Sequence, residues 1–504
     1  MSESPRSHPV SPVRQALAAN RLGIFAVIAF MIGAAAPFTV LGGGAPTGWA
    51  VTGLLGIPLG YMLIAVVLCV FSIGYLAMSR RIVNSGAFYT YVTHGLGRVA
   101  GVAAAAVAVL AYCAMGDGLY GGLGPAGTDF VASLTGWSGP WWLWALIGWA
   151  IITVLGIMPV DAVGKVLTVL LLAEIGVSLT YAIVQIAHPA GGHAEYTAID
   201  PSQLLTPGIG VLLTLAITGF VGFEGGPVLS EETKNPVRTV PTATYSSLIL
   251  IGGLYGFGAL AMTVAAGPAN IVQAATEQST SLIFNLTAPY VPAWLITVGH
   301  GLYFTSLFAA TLSFHQFVTR YLYALGRERV LFHALATTSV RSRIPKTASL
   351  VQSAIAFAVI CLFAYAGWDP VVNLFFWITV TGGLGVLILM LITSVAVFAY
   401  FLRRTNRDGV GVWRGLLAPI AAAAVLGWIL VVTLQQFHVL LGVEESSPWR
   451  WIFPAGFGVA ALLGMLWGLY LRAARRDVYD TIGAGANRGL ISGTTGLAPT
   501  PAGR

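Results

Sequence analysis

The chain has 504 residues, of which 57% are hydrophobic and only 9% charged, with a net charge of +7; soluble domains carry about 25% charged residues. That composition, with a mean hydropathy of +0.83, excludes a water-soluble enzyme and places the chain in a lipid bilayer. The basic excess reads as a topology signal and not as a nucleic-acid surface, because its residues collect on one side of the apolar runs.

In chain order, residues 1–20 are polar and proline-bearing and read as a flexible cytoplasmic tail. The apolar run that follows has spanning length and no small-residue cleavage site, so it is expected to stay as a helix and not leave as a signal peptide. Such runs recur to the end of the chain. They predict twelve transmembrane helices, at roughly 21–41, 55–78, 97–124, 141–160, 163–187, 207–230, 242–266, 293–325, 347–366, 371–402, 414–437 and 451–472. The expected fold is an all-α polytopic membrane protein with one transmembrane domain over 21–477, followed by a second flexible tail over 478–504. With the N-terminus inside, Arg80, Arg81, Arg98, Arg327, Arg403, Arg404, Arg407, Arg475 and Arg476 fall at cytoplasmic loops or helix ends, and Arg450 falls outside. Both termini of this cell-membrane protein are therefore expected in the cytoplasm.

The first span contains MIGAAAPFTVLGGG (31–44), where Gly33-Ala34-Ala35 precede Pro37, a residue that removes a backbone donor and clashes with the preceding turn. The third carries Asp117 and the fifth Glu174. Trp137, Trp141, Trp142 and Trp144, around the start of the fourth, read as an interfacial aromatic belt. The loop 188–203 holds His188, His193, Glu195 and Asp200 at spacings that match no metal-ligand pattern, and Cys69, Cys113 and Cys361 lie singly in apolar runs. No metal or cofactor is expected. The sixth span contains TGFVGFEGGP (218–227), where Gly219, Gly222, Gly225, Gly226 and Pro227 make an unbroken helix unfavourable and Glu224 sits within the break. His300 and His315, in the eighth span, read as hydrogen-bonded structural histidines.

The two interruptions lie five spans apart, and an odd offset sets the halves in opposite directions across the membrane. An inverted repeat of five and five helices with two more at the end has that pattern; the plainer alternative is that Gly and Pro are simply frequent in membrane helices. An acid at bilayer depth is costly unless it pairs, faces a cavity or takes up a proton, which makes Asp117, Glu174 and Glu224 functional candidates. A carboxylate locked to backbone donors is the structural alternative for Glu224, and a place near the outer interface the alternative for Asp117.

The stretch Phe220, Gly222, Phe223, Glu224, followed by Glu231, Glu232, Asn235, Pro236, Arg238 and Pro241, resembles the sixth helix and following cytoplasmic loop of the amino acid–polyamine–organocation transporter superfamily. SGAFYTYVTHGLGR (85–98) resembles the family's entry into its third helix, and RYLYALGRERVLFHALATTSVRSRIPKTA (320–348) its loop after the eighth. The resemblance implies a LeuT-like fold, in which the broken helices bind substrate through backbone groups. On it, Gly33, Ala34, Ala35, Asp117, Thr218, Gly219, Phe220, Gly222, Phe223 and Glu224 are the candidate substrate-binding residues. Relatives have Gly-Ser-Gly in the first break, and proton-coupled relatives have a lysine where this chain has Glu174. Either Glu174 relays the proton, or coupling has moved to Glu224, or the protein exchanges substrates without protons. Glu231, Glu232, Asn235, Pro236 and Arg238 are expected to form a cytoplasmic gate against the basic loop at 327–346.

The function implied is secondary active transport of an amino acid or related amine or polyamine, with H+ as coupling ion, by alternating access around the first and sixth helices. An exchanger without proton coupling, a substrate sensor and a channel are the alternatives. The lipid bilayer is the expected environment, no nucleic-acid partner is implied, and a monomer and a homodimer are equally compatible. No metal cluster, nucleophile elbow or phosphate-binding loop points to an enzyme.

Overall fold

The apolar runs fold as helices from end to end in a computed structural model that describes residues 16–206, 208–339 and 342–485. The expected tails lie outside the described residues over 1–15 and 486–504. Among the described residues, ten helices are long and apolar enough to cross a membrane, and a bent pair makes an eleventh. In chain order these are α1 (Ile24–Thr52), α2 (Ile57–Ser79) and α3 (Arg98–Thr135), then the shorter apolar helix α4 (Trp141–Gly156), and α5 (Val160–Ala187). The bent pair, α6, is Ile209–Phe220 with Phe223–Glu232, kinked by 43°. The rest are α7 (Pro236–Ala266), α8 (Ala293–Arg327), α9 (Lys346–Ala366), α10 (Pro370–Leu402), α11 (Trp413–Gln435) and α12 (Trp449–Ala474). Each expected span has a counterpart, and the chain is an all-α polytopic membrane protein.

Local chemistry sets the helix ends. Asp369 precedes α10 and its carboxylate accepts the Val372 N–H at 2.8 Å, satisfying one of the donors that a helix start leaves open. Asn235, left-handed at φ 46°, turns the chain into α7, and Pro236 occupies the first helical position, where its missing N–H is no loss. The core is built around α3, which packs on α8, α10 and α12, while α1 packs against α5, α7 and α8.

The first and last described segments lie on one face, called here the terminal face. Arg21 and Leu22 donate their N–H groups to the Glu232 carbonyl at 2.8 and 3.0 Å, and the Lys234 N–H returns to the Leu22 carbonyl at 2.8 Å. This short ladder ties the approach to α1 to the exit from α6. The tail assignments need correcting at their inner ends. Leu17 and Ala18 are buried, as are Val478, Thr481 and Ile482. The segment after α12 folds back, with Gly483 N–H and Gly485 N–H donating to the Glu328 carboxylate at 2.6 and 2.9 Å. Arg98 pairs with Asp480 at 3.0 Å. Small, flexible residues read as a tail in sequence because nothing local reveals the buried carboxylate that fixes them.

Candidate functional site

The two interruptions face each other at mid-depth. In α1 the helix stops at Ala35, Ala36 turns left-handed at φ 49°, and Pro37 starts a new turn that passes through a π-helical stretch at Val40–Gly44. Pro37 has no N–H for the Gly33 carbonyl, which instead accepts from Ala36 at 3.1 Å. The break therefore falls after Gly33-Ala34-Ala35, which form the last turn of the first segment. In α6 it falls at Gly222, at φ 120°, a conformation open to glycine and strained for other residues. A Cβ there would also lie 2.4 Å from the Ala34 Cβ, so the glycine lets the two breaks touch.

Tyr255 of α7 ties them together: its hydroxyl lies 2.7 Å from the Ala35 carbonyl and 3.0 Å from the Gly219 carbonyl. Both carbonyls are left open by the breaks, and burial makes their satisfaction obligatory. Beside this junction, on the side away from the terminal face, lies a cavity of about 90 Å³. Ala34, Ala35 and Thr39 of α1 and Thr218 and Gly219 of α6 line it, with Tyr61 of α2 opposite. Met115 and Leu119 of α3, Phe314 of α8 and Phe375, Phe376 and Thr379 of α10 close the remaining walls. Among the described residues no charged side chain lines the cavity.

Of the candidate substrate residues, Ala34, Ala35, Thr218 and Gly219 line this cavity and the others do not. Gly33 faces Ser313 of α8. Phe220 packs edge-on against Tyr255, and Phe223 against Phe71. Asp117 points away: Met115 and Leu119, one helical turn apart, face the cavity, and the residue midway between them turns to α9. There it accepts a hydrogen bond from Gln352 at 2.9 Å.

Glu224 is fully buried and fully engaged. One carboxylate oxygen accepts from the Tyr112 hydroxyl at 2.7 Å and the other from the Gly222 N–H at 2.9 Å. Its carbonyl accepts from the Tyr75 hydroxyl at 3.0 Å. It clamps the α6 break to α2 and α3 and does not open onto the cavity.

Glu174 of α5 is enclosed to the same degree and treated differently. The Phe38 N–H at the α1 break and the Ser306 hydroxyl of α8 face its carboxyl group. Its Oε2 has no hydrogen-bond partner among the described residues. The Ser306 hydroxyl also meets the N–H and hydroxyl of Thr39 at 3.2 and 3.1 Å. Thr39 lines the cavity, so a polar path of two side chains runs from cavity to carboxyl.

Towards the terminal face the expected gate residues divide. Glu231 holds Arg327 through two bonds of 2.7 Å and accepts from the Ser85 N–H and hydroxyl at 3.0 and 2.8 Å. Glu232 pairs at 2.5 Å with Arg320, within α8 and not in the loop beyond it. Asn235, Pro236 and Arg238 make none of these contacts and belong to the turn into α7.

Residues 22–461 match the amino acid permease family. The chain belongs to that family. Over 148 residues the permease is 29% identical to proteins described as uncharacterized transporters, Mb2022c of Mycobacterium bovis and Rv1999c and MT2055 of Mycobacterium tuberculosis. That stretch is 29% of this chain and 32% of each relative, so the match spans about a third of the relatives' own length. The permease is a multi-pass membrane protein.

The hydroxyls of Thr39, Tyr61 and Thr379 and the phenyl groups of Phe375 and Phe376 were not singled out by the sequence pattern. Isolated threonines in apolar runs are a signal, but most such hydroxyls bond the carbonyl one turn back, as Thr379 does to Phe375 at 2.5 Å. Nothing local separates those that also reach a cavity.

Proposed function

We propose that the permease moves a small amino acid with an uncharged side chain, coupled to H+, by alternating access around the breaks of α1 and α6. The observation that carries this reading is the pairing of a small, uncharged cavity at the two breaks with one enclosed carboxyl, Glu174, that has an unpartnered oxygen. A polyamine needs anionic partners along its length, and none lines the cavity. A volume of about 90 Å³ is also well below the roughly 300 Å³ at which pockets for drug-sized ligands begin.

Glu174 is the proton site in this reading. An acid at this depth with no cation beside it is tolerable when it can exchange a proton, and Thr39 and Ser306 link it to the substrate cavity. Glu224 is scaffold. The terminal face, taken as cytoplasmic from the basic residues along it, is held shut by Glu231–Arg327, Glu232–Arg320 and the ladder between residues 21–22 and 232–234. Opening inward requires these contacts to part while the α2–α7 and α3–α8 packings persist.

Uptake of labelled neutral amino acids into proteoliposomes tests the proposal. Saturable accumulation driven by an acid exterior is expected. Flux that needs substrate on the inside would make the protein an exchanger, and linear, non-saturating flux would contradict carrier transport altogether.

A further inference from the structure

A second and larger cavity opens on the terminal face, about 450 Å³ in volume, between the end of α2, the first turns of α7 and the segment leading into α11. Its polar wall is Arg80, Arg81, Arg414 and Tyr245; Ile73, Leu76 and Val410 line the rest, with Trp413 at the rim. No carboxylate lines it, and none of its three arginines is in a salt bridge among the described residues.

Arg81 is held in position. Arg81 donates to the Asp408 carbonyl and its guanidinium lies over the Phe401 ring at 5.6 Å from the centroid, which fixes one donor fork. Arg80, Arg414 and Tyr245 line the same cavity, so three cationic forks and a hydroxyl surround one volume. Like charges lining one cavity repel one another, and guanidinium forks match phosphate oxygens in pairs. The apolar wall formed by α2 suits an acyl chain entering beside the headgroup.

We infer that this cavity binds an anionic phosphate group at the membrane interface, with a phosphodiester lipid headgroup and free phosphate sharing the required chemistry. The site is separate from the transport cavity and does not depend on the transport reading.

Native mass spectrometry of the purified, delipidated full chain tests it, with phosphatidylglycerol, phosphatidylcholine and inorganic phosphate titrated separately. Phosphatidylglycerol is expected to bind in preference to phosphatidylcholine, and Arg80→Gln with Arg414→Gln to weaken it by roughly tenfold or more. Arg403→Gln with Arg404→Gln, on the same face but outside the cavity, is expected to leave binding unchanged. Displacement of the lipid by inorganic phosphate, itself lost in the Arg80/Arg414 variant, keeps the phosphate site and assigns it to the soluble anion. Equal binding of the two lipids with no phosphate binding overturns the inference, as does equal loss in both double variants. Arg80→Lys with Arg414→Lys keeps the charge; if that variant folds and binds as the native chain does, the loss in the glutamine variant comes from the charges and not from misfolding.

Discussion

Glu224 and Glu174 are two carboxyl groups at bilayer depth, each almost completely enclosed, and their surroundings differ in kind. Around Glu224 every carboxylate oxygen has a donor, from Tyr112 and the Gly222 N–H. Around Glu174 one oxygen has none among the described residues, and the donors nearby belong to the α1 break and α8. Burying a polar group without a partner is unfavourable, so a fold that satisfies one acid and leaves the other open has given them different work. The first holds a break in shape; the second, in the proposed reading, exchanges a proton.

The most forceful way to break this contrast is to create a second uncompensated acid. Arg320→Gln leaves Glu232 enclosed without its cation and is expected to destabilise the protein by about 3–5 kcal/mol, read from thermal or denaturant unfolding in detergent. A loss below about 1 kcal/mol would mean that this interior tolerates an unpaired carboxylate freely, and the openness of Glu174 would then carry no message.

A comparable effect is expected from Glu224→Leu, which leaves the Tyr112 hydroxyl and the Gly222 N–H unpaired at about 1–3 kcal/mol for each. Transport should fall at every pH, with or without a gradient. Glu174→Leu leaves the Phe38 N–H and the Ser306 hydroxyl without the carboxyl group they face, but it also removes a buried oxygen that has no partner among the described residues, so it should cost less. If the two leucine variants lose stability equally in the same unfolding measurement, the two sites are not different in kind.

Tyr255→Phe sharpens the picture at the junction of the breaks. Removing one neutral hydrogen bond costs about 1 kcal/mol, but it loosens Ala35 and Gly219 together, and both line the cavity. Substrate affinity should fall while the pH dependence of uptake stays as it was. A changed pH dependence with native affinity would place Tyr255 on the proton path instead.

Much of this architecture could be read from sequence because hydropathy and glycine placement act locally. The span positions follow from apolar length, and GFVGFEGGP marks the α6 break because a glycine is needed for the φ of 120° that Gly222 adopts. In α1 the left-handed turn falls at Ala36, directly after the expected Gly33-Ala34-Ala35, for a reason outside its own segment. Gly222 approaches Ala34 so closely that the helix must continue through Ala35 before it can turn. The assignment of Asp117 failed on direction: a helix rotates about 100° per residue, and the face that borders the cavity is set by the packing of α3 on α8 and α10, which no local pattern carries. Glu224 and Glu174 look alike in sequence because hydrogen bonds from Tyr112, in another helix, separate them.

The most direct test measures proton movement with substrate uptake in proteoliposomes for Glu174→Gln and Glu224→Gln side by side. Glu174→Gln should still bind and exchange substrate but lose gradient-driven accumulation and substrate-linked proton entry. Glu224→Gln, which keeps one carbonyl acceptor for its two donors, should retain coupling at reduced rate. Full coupling in Glu174→Gln together with its loss in Glu224→Gln would contradict the assignment and return the proton to the α6 break.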